Sequence, residues 1–258
     1  MKLVHLPQRV PANMSLQELT QRPILIEVQA WYDKGYRSLK VFMKAIIFDM
    51  DGVLVDSMPD HAEAWKQAFA TVGISIERKD IYELEGSNHK QVVELIFSRF
   101  NRKITEEEIM ELSRKKIEIF NQIEHVRPFE EILELLLILK QKYKLAVVSG
   151  SNRETVHNII NTFFPDTFQV IIDGDDVKKS KPAPEPYLKA VERLQVPKEQ
   201  CIVIENAPLG IRSAKEAGLR CIAIPTYLDR ECMKEADVIA DNHRELGRIL
   251  FVELKKTP

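Results

Sequence analysis

Apolar and polar positions along this 258-residue chain follow two rhythms. Residues 45–48 are apolar without interruption and then meet Asp49, Asp51 and Gly52, the pattern of a buried strand that ends in acid. Over 61–72, 90–101 and 106–122 the apolar residues return every three or four positions, which predicts long helices with no strand between them. After Pro128 helix and strand patterns alternate: 129–143 then 144–148, 153–163 then 170–172, 184–194 then 201–204, 209–217 then 221–224, and Val238 with Ile239 before a C-terminal helix. Such alternation predicts an α/β fold built on a doubly wound parallel sheet.

The helical stretch 58–127 follows the first strand directly. It reads as a helical cap domain inserted into a core domain made of 43–57 and 128–258, with hinge strands near Asp56/Ser57 and Arg127/Pro128. A cap of this kind excludes water when closed and opens for product. Residues 1–42 show an intermittent helical pattern over 15–42 that Pro23 should break. They are expected to be an N-terminal extension of unknown role, or an upstream translation of a protein that starts at Met43.

Composition removes several classes of function. With 45% hydrophobic and 29% charged residues the chain can bury a sizeable core, and a formal net charge of -2 supplies no general attraction to nucleic acid or anionic membrane. No run approaches the roughly 18 apolar residues of a membrane span, and no secretory signal pattern opens the chain. Cys201 and Cys221 sit in strand-like apolar runs and read as buried free thiols. Together with Cys232 they make an odd, scattered set that fits a reducing cytoplasm.

Candidate chemistry lies where the strands end, because ligands of doubly wound sheets bind beyond the strands' C-terminal ends. Side chains two apart on an extended segment share a face, so Asp49 and Asp51 converge. Neighbouring like charges need a proton or a cation between them, and the hard, oxygen-seeking cation found beside phosphates is Mg²⁺. Asp49 suits a nucleophile that attacks phosphorus, and Asp51 a general acid/base. A calcium loop of the EF-hand kind is the alternative for DMDG, but such a loop needs an oxygen side chain and then Gly where Val53 and Leu54 stand. Ser149, Gly150 and Ser151 follow a strand and lead into a helix, a place to hold a phosphoryl anion, or simply a helix N-cap at Ser151. Lys181 precedes two prolines in KSKPAP and suits a fixed cation offsetting charge at phosphorus. Glu205 and Asn206 can offer oxygens to a metal, unless Asn206 merely caps the next helix.

FDMDGVLVDS, VVSGS, KSKPAP and VIENAPLGIRSAKEAG, in this order, resemble the four motifs of the haloacid dehalogenase superfamily, over about residues 43–245. The position of the insert resembles the branch holding β-phosphoglucomutase and its phosphatase relatives. The resemblance implies Asp49 as nucleophile, Asp51 as general acid/base, and Ser149 and Lys181 as phosphoryl holders. It implies Mg²⁺ held by the Asp49 carboxylate, the Asp51 carbonyl and the side chain of Asn206, with Glu205 beside it. It also implies cap roles for His61 and Trp65 and a substrate contact for Lys116. His61 either orients Asp51 or lies on the cap surface.

Two departures from the family pattern stand out. Asn206 replaces the usual aspartate, which removes one negative charge from the metal site. Glu85 stands before Gly86, where the mutase has a basic residue. Glu85 is either a solvated carboxylate or a cap ligand that restores the charge missing at Asn206. The expected function is a Mg²⁺-dependent phosphatase acting on small phosphorylated metabolites, a sugar phosphate or pyrophosphate, through a phospho-aspartate. The alternatives are a sugar-phosphate mutase of the β-phosphoglucomutase type and a non-catalytic binding protein on the same scaffold. The partner expected is a small phosphorylated metabolite, with no nucleic acid or membrane, and the chain is expected to be a monomer.

Overall fold

The structure is a computed structural model and describes residues 43–123 and 125–255. The helical pattern expected over 15–42, and the N-terminal extension with it, lie outside these residues. Strand β1 (Ala45–Phe48) is the centre of a six-stranded parallel sheet. Its other strands are β4 (Lys144–Val148), β5 (Val170–Ile172), β6 (Cys201–Glu205), β7 (Arg220–Ala223) and β8 (Val238–Ile239), and the order is β5-β4-β1-β6-β7-β8. In register, Phe48 pairs with Val147 on one side and Ile204 on the other, so Asp49, Val148 and Glu205 come to the same edge.

The uninterrupted apolar runs are explained by helices on both faces of the sheet. Ile46 and Phe48 point into one cluster, completed by α5 (Glu130–Leu139), α6 (Arg153–Phe163) and α9 (His243–Lys255). Ala45 and Ile47 point into the other, completed by α7 (Glu185–Leu194) and α8 (Pro208–Glu216). At roughly 1.5–3 kcal/mol for each fully buried large apolar side chain, these two layers fix the strand order and leave the polar strand ends as the sheet's reactive edge.

Between the paired strands β2 (Val55–Asp56) and β3 (Arg127–Pro128) lie α1 (Met58–Ala70), α2 (Arg78–Tyr82), α3 (His89–Arg99) and α4 (Glu106–Ile123). These helices share a third cluster, with Trp65, Phe69, Ile96, Phe97 and Phe120 inside it. Helix α1 begins earlier than its apolar rhythm predicts, because Pro59 fits the first turn, where no N–H partner is required. Helix α5 ends earlier than expected: after Leu139 the chain turns, with Tyr143 N–H donating to the Leu139 carbonyl before β4. Among the described residues no helix is long and apolar enough to cross a membrane. Cys201 and Cys221 are buried and Cys232 is exposed.

Candidate active site

The β1 strand end delivers Asp49 and Asp51, both buried. Asp49 N–H is tied to the Ile204 carbonyl at 2.9 Å, which holds this residue in line with the sheet. Lys181 is 1% exposed and donates to Asp49 Oδ1 at 2.5 Å and to Glu205 Oε1 at 2.7 Å. Its peptide bond to Pro182 is cis. With two carboxylates on one ammonium, Lys181 holds its proton more tightly than a free lysine, although burial opposes this. Asp49 is raised as well: burial pushes it well above the usual carboxylate range; Lys181 opposes this rise, and Glu205 and Asp51 add to it.

Asp51 sits in a nest of donors. Ser57 Oγ donates to Oδ1 at 2.5 Å, and Ser149 and Ser151 Oγ to Oδ2 at 3.2 and 3.3 Å. His61 Nε2 lies 3.2 Å from Oδ1, and Lys116 Nζ is 2.7 Å from His61 Nδ1. Burial pushes Asp51 up, but His61, Ser57 and Lys116 outweigh it and hold the carboxyl below its ordinary range. Burial lowers Lys116 to about 7 and keeps His61 low as well. An ammonium at Lys116 can only donate, so while it is charged His61 carries its proton on Nε2, facing Asp51. The surface alternative for His61 is thereby overturned: it is 6% exposed and stacked on Phe120. Lys116 is engaged with His61 and lies over the Phe120 ring at 4.7 Å, while also lining the cavity.

Glu205 faces the Lys181 ammonium rather than an open metal position, which corrects the expectation placed on it. Its Oε1 accepts from Lys181 and from Tyr187 Oη, both at 2.7 Å, and its Oε2 accepts from the Asn206 and Ala207 amides. All its lone-pair directions are taken, so it serves as counter-ion to Lys181. Asn206 instead points across the site and donates from Nδ2 to Glu85 Oε1 at 2.8 Å. Glu85 is 6% exposed, so the solvated reading of this residue fails. Burial, then Asp49, pushes its carboxyl well above the usual range.

Three buried oxygens around this point have no hydrogen-bond partner: Asp49 Oδ2, Glu85 Oε2 and Asn206 Oδ1. Buried polar atoms rarely stay unpaired. Four buried carboxylates, Asp49, Asp51, Glu85 and Glu205, face only two buried lysines, 116 and 181. Hard, unpaired oxygens with an excess of negative charge fit Mg²⁺. Among the described residues no group of three or more His, Cys, Asp or Glu is arranged as a metal site; the set here is mixed, two carboxylates with an amide oxygen.

The insert meets the core backbone to backbone. Gly86 has φ +88°, open to glycine at little cost, and a Cβ there would lie 2.7 Å from Lys181 Cδ. A Cβ on Gly150 would lie 2.7 Å from the Gly86 carbonyl oxygen, and one on Gly174 2.6 Å from that of Gly150. Behind this seam lies a cavity of about 40 Å³, partly open to solvent, touching Asp49, Asp51, Trp65, Glu85, His89 and Lys116. Clefts of about 360 and 370 Å³ lie elsewhere and touch neither aspartate, so chemistry rather than size locates the site.

A family model described as haloacid dehalogenase-like hydrolase matches residues 46–224. The chain belongs to the haloacid dehalogenase-like hydrolases. It is an enzyme of that superfamily, a phosphatase on the branch that also holds β-phosphoglucomutase. It is 30% identical to validoxylamine A 7'-phosphate phosphatase of Streptomyces hygroscopicus subsp. limoneus, over 79% of this chain and 95% of that one. It is likewise 30% identical to the beta-phosphoglucomutase of Bacillus subtilis, over 70% of this chain and 83% of that one. A solved Bacteroides vulgatus structure, provisionally assigned as a beta-phosphoglucomutase, superposes with a TM-score of 0.79 at 31% identity, covering 90% of this chain and 98% of its own.

Four residues at or beside the site escaped the sequence reading. Ser57 closes the FDMDGVLVDS motif and could have been found there. Tyr187 is spaced as an ordinary core residue of α7, and His89 and Tyr227 stand in stretches with no motif. Asp173, just past β5, turns to Arg153 and to the amides of Asp175 and Asp176.

Proposed function

We propose that this phosphatase hydrolyses small phosphorylated metabolites, a sugar phosphate or pyrophosphate, with Mg²⁺ and through a phospho-aspartate on Asp49. The observation that carries the reading is the pairing of an unpartnered Asp49 Oδ2 with an Oδ1 fixed by Lys181. One oxygen is free to attack phosphorus while the other is pinned, so the carboxylate meets its target in one orientation. Mg²⁺, held by Asp49, Asn206, Glu85 and the Asp51 carbonyl, would supply charge neutralisation at the attacking carboxylate and the phosphoryl oxygens.

In the first half-reaction Asp49 Oδ2 bonds to phosphorus, the bond from phosphorus to the leaving oxygen breaks, and that oxygen takes a proton. In the second, water attacks phosphorus, the bond to Asp49 breaks, and Asp51 takes the proton from the water. Asp51 rests as a carboxylate, which suits this second task. To act as acid in the first it must receive a proton with the substrate. Lys181, with Glu205 and Tyr187 behind it, keeps a fixed positive charge beside the attacking carboxylate. Ser149 offers a hydroxyl from the next strand end.

The helical stretch 58–127 acts as a cap on the core of 43–57 and 128–258. The cavity beside the two aspartates, partly open to solvent, holds about 40 Å³, room for roughly three waters at about 10–15 Å³ each. That favours a compact leaving group and disfavours the mutase reading, which needs space for a second phosphate beside Glu85.

The test is phosphate release across sugar phosphates, pyrophosphate and nucleotides, with and without EDTA, for wild type and Asp49→Asn. Release on compact substrates that EDTA abolishes, and a loss of several powers of ten in Asp49→Asn, are expected; nucleophile deletions elsewhere cost about 10⁶ in kcat. Asp49→Asn retaining a tenth of the rate would overturn the assignment, and robust interconversion of hexose phosphates would favour the mutase.

A further inference from the structure

Insert and core exchange tyrosines. Tyr82, the last residue of α2, packs against the insert's own hydrophobic cluster and also against the core cluster under α7 and α8. Tyr227, in the loop after β7, leaves the core to pack against the insert's cluster. The two rings stack with centroids 5.2 Å apart and planes at 25°. Tyr227 Oη donates to Asp56 Oδ1 at 2.6 Å, and Asp56 belongs to β2, one of the two strands that join insert to core. Its neighbour Thr226 donates through Oγ1 to the Gly52 carbonyl at 2.7 Å, in the loop that carries Asp51. Tyr227 therefore touches the insert and its connecting strand while its neighbour holds the catalytic loop.

We propose that Tyr227, stacked on Tyr82 and bonded to Asp56, is the positioning residue that sets how the insert seats on the core, and so brings Glu85 to Asn206. The connection to Glu85 is short: the Tyr82 carbonyl accepts from Glu85 N–H at 3.3 Å, so the ring held by Tyr227 lies one turn from the acid delivered to the site. An aromatic pair of this geometry contributes enough beyond its buried area to shift an open–closed equilibrium several-fold. The two rings have unequal tasks. Tyr82 needs only its face, whereas Tyr227 needs its face and its hydroxyl. The inference rests on the reading of the insert as a cap.

Asn88 N–H provides a readout independent of catalysis, because it donates to Ser180 Oγ at 3.3 Å across the same seam. Amide hydrogen exchange over residues 85–88 therefore reports seating whether or not the chain cleaves any given ester. In Tyr227→Ala and in Tyr82→Ala, exchange there should quicken about tenfold, while β1 and β6 keep wild-type protection. The double variant should be no faster than the faster single, since each removes the same stack. Tyr82→Phe should match wild type, and Tyr227→Phe should quicken about threefold through loss of the Asp56 bond. Unchanged exchange over 85–88 in both Tyr227→Ala and Tyr227→Phe would overturn the proposal. So would equal quickening in the sheet, which marks general destabilisation, or additivity of the two alanine variants.

Discussion

Asn206 Nδ2 donates to Glu85 Oε1 at 2.8 Å, a hydrogen bond that joins the core strand edge to the insert at the centre of the site. It leaves one oxygen of each residue buried and unpartnered. Restoring aspartate at 206 would set two carboxylates against each other, so the two positions divide one charge between them. Glu85→Ala should weaken Mg²⁺ activation, and Asn206→Asp should partly rescue it. A double-mutant cycle on the Mg²⁺ dependence of the rate should return a coupling of about 0.5–3 kcal/mol. Additive effects would separate the two residues.

Asp51 is held as a carboxylate by Ser57, His61 and Lys116. Removing its proton chemistry with Asp51→Asn should slow esters of poor leaving groups at least tenfold more than activated aryl phosphates, since only the former need protonation as they depart. Equal losses across a leaving-group series would remove the acid role.

Lys116 gives a pH-dependent stability of defined sign. Its folded-state value, lowered by burial to about 7, lies below the unfolded value of about 10.4. Between these values the unfolded chain binds the proton and the folded one does not, so this group's penalty is full below pH 7 and fades as pH rises toward 10. Lys116→Met should therefore be more stable than wild type near pH 7, by on the order of 3 kcal/mol, with the advantage shrinking toward pH 10. Urea melts of both proteins at the two pH values check this; a constant difference would contradict it.

Gly210 makes room for Glu205. A Cβ there would lie 1.7 Å from Glu205 Oε1, which is held by Lys181 and Tyr187 and cannot move without freeing both. Gly210→Ala should cost on the order of 2–3 kcal/mol and depress turnover further by releasing Lys181. Gly247→Ala, in α9 with open space around the new methyl, should be neutral or stabilising by up to about 1 kcal/mol in the same melts.

The sheet was legible because its strands are apolar on both faces and alternate with helices, and helix 153–163 and strand 170–172 fall where the pattern places them. The five residues of α2 are too few to establish a helical period, so that helix was invisible in the sequence, and with it the tyrosine it presents. Asp49, Asp51 and Ser149 were legible as residues just past strand ends, and Lys181 as the lysine before two prolines in KSKPAP. The direction Glu205 faces was not, since it depends on Tyr187 eighteen positions earlier and on the missing side chain of Gly210. Glu85 was readable only as a departure from the family pattern. Its burial follows from the way the turn after α2 meets Asn206, 121 positions away.

Gly150 abuts the Gly86 backbone across the seam and the Gly174 position within the core, and Gly86 lies against the Lys181 side chain, so these glycines leave no room for side chains of their own. A side chain placed at Gly86 or Gly150 would prise insert and core apart. Selectivity must then be written on the insert, where Trp65, His89 and Lys116 border the cavity. The insert thus carries both residues that tune the reacting carboxylates, Glu85 and His61, and residues that border the cavity, so rewriting it for a new leaving group must leave those two in place.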